Sequence, residues 1–356
     1  MSRKLVKMLT FLKSRADKTL PSSIVLGNNA CDLDSVVSSI MYAYFLDATV
    51  EPTSPVLCIP KKDVTLRTEV TFMLDKLKIP IDDLIFLDSP QISDIQYKHI
   101  RLHLVDHNKY DNSYLNLESF EVASIVDHHS DENSPCTGYK KIERVGSCAS
   151  LITSLFKTDQ SSPNPAVSFT DKMRLFLAGP ILLDSVNLDF SKGRTHQVDV
   201  EMFEFLSIPD RDKLFEELTK AKTDTSQLSV YDLLRKDCKH FSSKEGQVYI
   251  ASLFGPTWEQ FAAMPNLIED TQKFVSEHDI NVLIVMIRSD ELFQLLLTVA
   301  HGTHLISEDC ISDITDKLEL VKLQDYQPDS WLVYEQLNIK ASRKVVLPLF
   351  KSWLEG

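Results

Sequence analysis

The 356-residue chain has little glycine, no closely spaced cysteines and no long apolar run. Nine glycines and fifteen prolines are too few for a fibrous or low-complexity protein. No apolar stretch reaches the roughly 18 residues that a membrane helix needs. The start of the chain is basic, but lysines interrupt its apolar residues, which predicts an amphipathic helix and not a signal peptide. The chain is therefore expected to be globular, and its length suggests two domains.

The cysteines lie far apart, with no C-x-x-C pair among them. Zinc ribbons and disulfide frameworks both need grouped cysteines, so we expect reduced thiols with a structural role. This favours an intracellular protein in the cytoplasm, with a mitochondrial or nuclear pool left open. The six positions are Cys31, Cys58, Cys136, Cys148, Cys238 and Cys310.

Acidic residues outnumber basic ones, 51 Asp and Glu against 38 Lys and Arg, for a formal net charge of −13. This balance argues against a nucleic-acid or anionic-membrane partner, and we expect neither. A phosphate-bearing substrate would need local positive charge, part of which bound metal ions can supply.

Apolar strands alternate with helices through the first half of the chain. The pattern predicts strands over 23–26, 56–59, 84–87, 102–105 and 122–126. It predicts helices over 34–46, 68–77, 147–156 and 172–188, the last kinked or interrupted at Pro180. We therefore expect an α/β fold with a doubly wound parallel sheet in the first domain.

The second half predicts a smaller α/β domain after a polar linker region. Its expected elements are strands over 248–254, 282–287 and 292–299 and one helix over about 258–277. We place the two domains at 1–205 and 215–356.

Four acidic motifs each follow an apolar run. Carboxylates and imidazoles at such places are costly to desolvate unless divalent cations offset their charge. In a parallel sheet, the carboxyl ends of the strands meet at one edge, which gathers the side chains of the three motifs that follow predicted strands. The motifs are Gly27–Ser35, Val105–Asn108, Val126–His129 and Leu182–Ser185.

Asp32 and Asp34 alternate across one residue, so both would point to the same side of an extended segment. Each could hold a different metal, or both could hold one. Asp34 also precedes Ser35 and a helix, which is the position of an N-cap. With Asp106 and Asp184 available, ligation is favoured for Asp34, and Asp184 within an apolar helix is expected to be a ligand or network member.

Several basic or glycine-containing stretches admit two interpretations. Arg343 and Lys344 directly precede an apolar segment, which favours a functional role, whereas Arg235 and Lys236 are typical of a solvated face. Gly146 before a helix could present amides to an anion, although a plain helix start is favoured. His301 and His304 are more typical of a loop than of a metal site. A basic channel could include Lys140, Lys141 and Arg144.

Taken together, the four motifs resemble those of the DHH phosphoesterase superfamily, in the same order and over nearly the whole chain. Ser342-Arg343-Lys344, followed by Leu347 and Pro348, resembles the S-R-K motif of one branch. That branch contains family II inorganic pyrophosphatases, cytosolic exopolyphosphatases and prune proteins. The chain is most similar to the fungal-type exopolyphosphatases within it.

The resemblance implies a role for each matching position. Asp32 and Asp106 would bind one metal, and Asp106 would bridge to a second. The second metal would be bound by Asp34, Asp106, His128 and Asp184. Catalysis would involve Asp127, His128 and His129, with His129 contacting the phosphate. Substrate would be held by Asn28, His107, His129, Lys239, Ser342, Arg343 and Lys344, in a cleft between two domains that close over it.

Family II pyrophosphatases have histidine where this chain has Asn28. An amide oxygen is a harder ligand than imidazole, which favours Mg²⁺, with Mn²⁺ or Co²⁺ as substitutes. We therefore expect a monomeric exopolyphosphatase that releases terminal orthophosphate from linear inorganic polyphosphate, using water activated by two metals. The alternatives are a prune-like hydrolase of short polyphosphates or nucleotides, then a pyrophosphatase. A non-catalytic interaction protein is disfavoured because the acidic residues are complete and little chain follows Lys344.

Overall fold

A computed structural model describes most of the chain, and the chain divides into two compact units, Met1–Lys222 and Thr223–Gly356. The first unit includes the segment up to residue 222, and the domain bounds 1–205 and 215–356 stay a prediction. The described residues are 8–112, 115–243, 246–288, 293–299, 308–326, 331–338, Ala341, Arg343, Val345, Val346 and Pro348.

The first unit is built on a five-stranded, wholly parallel sheet with strand order β2-β1-β3-β4-β5. This confirms the parallel sheet that the sequence predicts. No strand forms over 84–87, where Phe86 makes only one isolated parallel bridge to Leu57 before the chain turns again. The strands are β1 (Ser23–Leu26), β2 (Ser54–Val56), β3 (His99–Val105), β4 (Ser119–Asp127) and β5 (Tyr139–Ile142).

Seven helices accompany this sheet within the described residues. Pro180 does not interrupt the helix, which continues through this proline and ends at Asp184, before residues 186–188 with positive φ. Proline removes one backbone donor, and here its loss does not break the helix. The helices are α1 (Met8–Ala16), α2 (Leu33–Thr49), α3 (Thr68–Leu77), α4 (Cys148–Gln160), α5 (Asp171–Asp184), α6 (Gln197–Leu206) and α7 (Arg211–Thr223).

Both faces of the first sheet are buried. Val25 and Val105 lie in the apolar cluster that includes α2, α4 and α5, whereas Ile24 and Leu104 belong to a second cluster. Successive side chains of a strand point to opposite faces, so two apolar layers require apolar residues at every position. This explains why the strands are continuous apolar runs in the sequence and why the polar residues at their ends are easy to recognise.

The second unit contains a six-stranded mixed sheet with order β10-β11-β9-β8-β7-β6, in which β7 and β8 pair in parallel and the other pairings among described residues are antiparallel. The helix predicted over 258–277 is two helices, separated at Asn266, whose φ is 59°. Its strands are β6 (Cys238–Ser243), β7 (Gly246–Phe254), β8 (Val282–Arg288), β9 (Phe293–Val299), β10 (Leu320–Tyr326) and β11 (Trp331–Gln336). Its helices are α8 (Val230–Lys236), α9 (Trp258–Ala262), α10 (Leu267–Glu277) and α11 (Glu308–Leu318).

Within the described residues, no helix has the length and apolar character that crossing a membrane would require.

Candidate metal and phosphate site

The acidic motifs of the first unit meet around one cavity of about 370 Å³. The cavity brings together all five predicted metal ligands, together with Asn28 and His129, and so joins residues that lie up to 156 positions apart in sequence. Its lining residues are Asn28, Asp32, Asp34, Asp106, His128, His129, Arg144, Val145, Gly146, Asp184, Gly193, Arg194 and His196.

The two aspartates of the first motif occupy different positions from those that an extended segment would give them. Asp32 is the N-cap of α2 and accepts the backbone N–H of Ser35 at 3.1 Å. Asp34 lies buried in the first turn of the same helix. The expected extended arrangement is therefore wrong, because the helix begins between the two carboxylates.

Asp34 instead caps a different helix. Its carboxylate accepts the backbone N–H groups of Cys148 at 2.6 Å and Ala149 at 2.8 Å, at the start of α4. The hydroxyl of Ser147 donates to it at 2.8 Å. The positive end of a helix stabilises such a carboxylate. Asp34 thus links the first motif to the start of α4, where the sequence favoured an ordinary helix start after Gly146.

Asp106 follows β3 directly and adopts a left-handed backbone with φ 61°, which is uncommon for a residue with a side chain. Its carboxylate accepts the side-chain N–H of Asn28 at 2.7 Å and lies 3.1 Å from Nε2 of His128. The other ring nitrogen of His128, Nδ1, donates to the carbonyl of Val145 at 3.0 Å. This second contact fixes the ring so that Nε2 faces the cavity, as in histidines that bind metals.

The cavity concentrates negative charge. Burial, and then the charge of Asp34, raises the pKa of Asp106 to about 8. Burial and the nearby carboxylates likewise raise the pKa of Asp34 and, far above its usual range, that of Asp184. Burial alone would lower the pKa of His128, but its contacts with the carboxylates of Asp106 and Asp34 raise it to about 10. A cation would relieve this repulsion.

The donor set also fits a metal by geometry. One potential ligand atom from each of Asp106, His128 and His129 lies within 4.8 Å of the other two. Carboxylate oxygens and imidazole nitrogens are ligands of divalent ions such as Mg²⁺, Mn²⁺ and Zn²⁺. Cys31, next to Asp32 in the sequence, is buried, and its burial raises the pKa of the thiol, which agrees with a packing role.

Asp127 lies behind His129 and does not line the cavity. It accepts Nδ1 of His129 at 2.8 Å, the backbone N–H of His128 at 2.7 Å and the side chain of Asn108 at 2.6 Å. Burial would raise the pKa of Asp127, but these hydrogen bonds hold it below its usual value. Asp127, predicted to be catalytic, therefore contacts the site through His129, and Asn108 is a supporting residue that the sequence reasoning missed.

His107 lines a neighbouring cavity of about 200 Å³, which shares Asn28 with the first. The Asn28 side-chain oxygen accepts the backbone N–H of Ala30 at 3.0 Å. The oxygen that the sequence argument offered as a hard ligand is thus turned toward its own loop, while the amide nitrogen holds Asp106. His107 itself donates Nδ1 to the carbonyl of Val105 at 2.9 Å.

The predicted phosphate-binding residues of the second unit are described only in part. Lys239 lies exposed on β6. Arg343 donates to the carbonyl and to the carboxylate of Asp237, both at 2.7 Å. Ser342 and Lys344 lie outside the described residues, as do His301 and His304. The role of these side chains in binding phosphate stays a prediction.

Three further residues near the cavity escaped the sequence reasoning. Arg194 and His196 line it, and Asp199 is buried beneath them. They stand in the polar stretch over 191–225 that we interpreted as the linker region. Asp199 accepts the backbone N–H of His196, the N-cap of α6, and an acidic residue three positions after a helix start is the local signal that could have identified a fixed turn there.

Comparison with known proteins places these observations in a family. The model of the DHH family, N-terminal domain, matches residues 22–179, and that of the DHHA2 domain matches residues 216–353. Human exopolyphosphatase PRUNE1 is 32% identical over 364 residues, which cover 97% of this chain and 78% of that protein. A manganese-dependent inorganic pyrophosphatase of Methanocaldococcus jannaschii is 28% identical over 239 residues, covering 64% of this chain and 70% of that protein.

A solved structure agrees with the fold. The crystal structure of a Methanococcus jannaschii protein assigned to the family II inorganic pyrophosphatases superimposes with a TM-score of 0.54 at 20% identity, covering 94% of this chain and all of the other. The chain belongs to the DHH family and, like its exopolyphosphatase and pyrophosphatase relatives, is a hydrolase.

Proposed function

We propose that the protein is an exopolyphosphatase that releases terminal orthophosphate from linear inorganic polyphosphate. The observation that carries this proposal is the single cavity in which Asp32, Asp34, Asp106, His128 and Asp184 meet. The alignment with human exopolyphosphatase PRUNE1, at 32% identity over 97% of this chain, supports this choice among DHH hydrolases.

Divalent metal dependence follows from the charge of this cavity, and the relatives include a manganese-dependent enzyme. Two ions would be held by five side chains that line the cavity. When bound, such ions lower the pKa of a water molecule and offset the charge of phosphate oxygens. The residues would be Asp32, Asp34, Asp106, His128 and Asp184.

The remaining side chains bind and orient. His129 is exposed at the cavity, and its hydrogen bond to Asp127 raises its pKa, so its ring can carry the positive charge that a phosphate oxygen requires. The carboxylate of Asp127 holds Nδ1 of His129, so Nε2 is the ring nitrogen that points away from Asp127. His129 is therefore assigned to the transferred or leaving phosphate, where it can donate a proton.

Mg²⁺ is proposed as the working ion. Four of the five proposed ligands are carboxylates, and no second imidazole is supplied at position 28. Hard oxygen ligands favour Mg²⁺ over softer ions. Asn28 also distinguishes this site from the family II pyrophosphatases, which have histidine at this position. This difference favours polyphosphate over pyrophosphate as the substrate.

The proposed setting is the cytoplasm. The five cysteines whose side chains the structure describes are free thiols, three of them buried and two half-buried. Unpaired thiols are typical of a reducing compartment. We retain a monomer as the proposed state for the assay that follows.

The test is orthophosphate release from long-chain polyphosphate and from pyrophosphate, with Mg²⁺ or Mn²⁺, in wild type and Asp106→Asn. The matched control is Asp82→Asn, which removes an exposed carboxylate paired with Lys61. We expect Mg²⁺-dependent release from polyphosphate, its loss in Asp106→Asn and its retention in the control. Orthophosphate release from pyrophosphate alone would identify the protein as a pyrophosphatase. Release from neither substrate would contradict the proposed function.

A further inference from the structure

Two arginines face the same cavity as the proposed metal ligands. Arg144 follows β5, and Arg194 precedes α6; both side chains are exposed, and both line the cavity. In the described part of the chain, neither side chain forms an ion pair or hydrogen bond. By contrast, Lys140 pairs with Asp131 at 3.0 Å and Lys141 lies 3.6 Å from Glu143, and neither lysine lines the cavity.

The loops that carry these arginines are fixed against each other by a buried carboxylate. Asp199, fully buried, accepts the backbone N–H of Gly146 and that of His196, each at 2.8 Å. Its other oxygen accepts the hydroxyl of Ser150 at 2.6 Å. One buried anion therefore spans the two loops, and a buried carboxylate is stable only when its hydrogen bonds are satisfied in this way.

The two backbones also approach closely. A Cβ atom on Gly146 would lie 2.7 Å from the carbonyl oxygen of Arg194, closer than real Cβ contacts allow. Only glycine permits this approach. The positions of the two arginine backbones are thus set by the fold, while their side chains remain available to a ligand.

The Arg144 loop is also continuous with the reaction centre. Val145, the next residue, accepts the ring N–H of His128, which lies 3.1 Å from Asp106. The backbone that carries Arg144 is therefore tied to His128, one of the proposed metal ligands. Guanidinium groups bind phosphate oxygens through two parallel hydrogen bonds and keep their charge at any working pH.

We propose that Arg144 and Arg194 form a second phosphate subsite, which binds the third and later phosphates of a linear chain. This inference rests on the proposed function of the same cavity. Metal ions and His129 serve the terminal two phosphates, whereas the arginines contact only a longer substrate. The subsite thereby selects polyphosphates of three or more units over pyrophosphate.

The test measures binding independently of turnover. Isothermal titration calorimetry with Mg²⁺ compares imidodiphosphate and diimidotriphosphate, whose nitrogen bridges resist hydrolysis, on wild type and on the double variant Arg144→Gln, Arg194→Gln. The control is Lys192→Gln, which removes an exposed positive charge two residues from Arg194 and outside the cavity lining. Both arginines are exposed, so the double variant is expected to fold, and its Tm verifies this.

We expect wild type and Lys192→Gln to bind the three-phosphate analogue at least 10-fold more tightly than the two-phosphate analogue. The double variant should lose that difference and keep its affinity for imidodiphosphate within about twofold. An unchanged preference in the double variant, or no preference in wild type, overturns the subsite. Parallel assays of orthophosphate release separate the two ideas, since wild type that binds both analogues but cleaves no polyphosphate contradicts the proposed function alone.

Discussion

The carboxylate of Asp34, in the first turn of α2, accepts the backbone N–H of Cys148, the first residue of α4, at 2.6 Å. A proposed metal ligand is therefore also the cap of a helix from another part of the chain. Its neighbour Asp32 has a simpler structural role, because it caps only its own helix through the N–H of Ser35. The two aspartates should respond differently to the same substitution.

Asp34→Asn is expected to lower the free energy of unfolding by roughly 1–3 kcal/mol. The amide of asparagine has one acceptor oxygen, so one backbone N–H at the start of α4 would face the NH₂ group and lose its hydrogen bond. Asp32→Asn should cost less than about 0.5 kcal/mol, since asparagine caps a helix as well as aspartate does. Urea unfolding in EDTA measures both, and orthophosphate release should fall in both. Equal stabilities would contradict the capping role of Asp34.

Asp127→Asn should reduce kcat for polyphosphate by about 10- to 100-fold, the usual effect of removing a residue that orients a functional side chain. Asparagine keeps one acceptor oxygen but loses the charge that supports the His129 ring. KM should change less than kcat, because the metal ligands remain. Asp131→Asn, four residues away and exposed beside Lys140, is the matched control and should retain kcat within twofold. A variant with wild-type kcat would remove Asp127 from the site.

The parallel sheet and the meeting of Asp32, Asp106 and His128 were accessible from sequence because their motifs follow apolar strands. That pattern is local, and parallel topology carries the strand ends to one edge. The contact of Asp34 with Cys148 was not accessible, since it depends on packing α2 against α4. Likewise, nothing in the polar stretch around Arg194 indicates that Asp199 draws it to Gly146, because such long-range pairing leaves no periodic signal.

A third prediction concerns pH and lies away from the metal ligands. His103 on β3 is buried, with Nδ1 2.6 Å from the hydroxyl of Ser124 and Nε2 3.0 Å from that of Ser23. Burial, and then the charge of Arg101, lowers its pKa from 6.5 to about 4. Between these values the unfolded chain binds a proton that the folded protein does not, so stability falls as pH drops from about 6.5 to about 4.

The loss attributable to His103 should approach roughly 3 kcal/mol at the acid end of that window. His103→Gln can still hydrogen-bond to both serines but cannot be protonated, so its unfolding free energy should fall less steeply with acid than that of wild type. His99→Gln, at the exposed start of the same strand, should follow wild type. Parallel urea titrations from pH 7 to pH 4 give the difference, and identical slopes for His103→Gln and wild type would exclude the effect.

Metal removal gives a fourth expected outcome. Asp184 ends α5 in the cavity, and its carboxylate makes no hydrogen bond or ion pair within the described residues. Burial and the charges of Asp34 and Asp32 raise its pKa well above the usual range. Without metal this carboxylate is destabilising, whereas a bound cation would turn the same charge into an attraction.

In EDTA, Asp184→Asn should therefore raise Tm by a few degrees, because it removes the repulsion. In excess Mg²⁺ the order of the two Tm values should reverse, because the ion raises the Tm of wild type more than that of the variant. Differential scanning fluorimetry with and without Mg²⁺ measures both Tm values. The exposed Asp75→Asn serves as control and should shift neither curve. A variant that gains as much from Mg²⁺ as wild type would remove Asp184 from the ligand set.

The close approach at Gly146 gives the last prediction. In Gly146→Ala the new methyl group would meet the Arg194 carbonyl at 2.7 Å and the Asp199 carboxylate at 2.8 Å, so the two loops must separate. The strain should cost roughly 1–3 kcal/mol of stability. Because Arg144 and Arg194 then lose their fixed spacing, the variant should also lose most of its preference for diimidotriphosphate over imidodiphosphate.

Gly138→Ala separates this consequence from instability alone. Its methyl group would meet a backbone carbonyl, that of Ala123, at 2.6 Å, so a comparable loss of stability is expected at a position outside the cavity lining. This variant should keep the wild-type preference between the two analogues. If both glycine variants lose the preference to the same degree, instability explains the effect; if neither does, the spacing of the arginine loops has no part in selecting chain length.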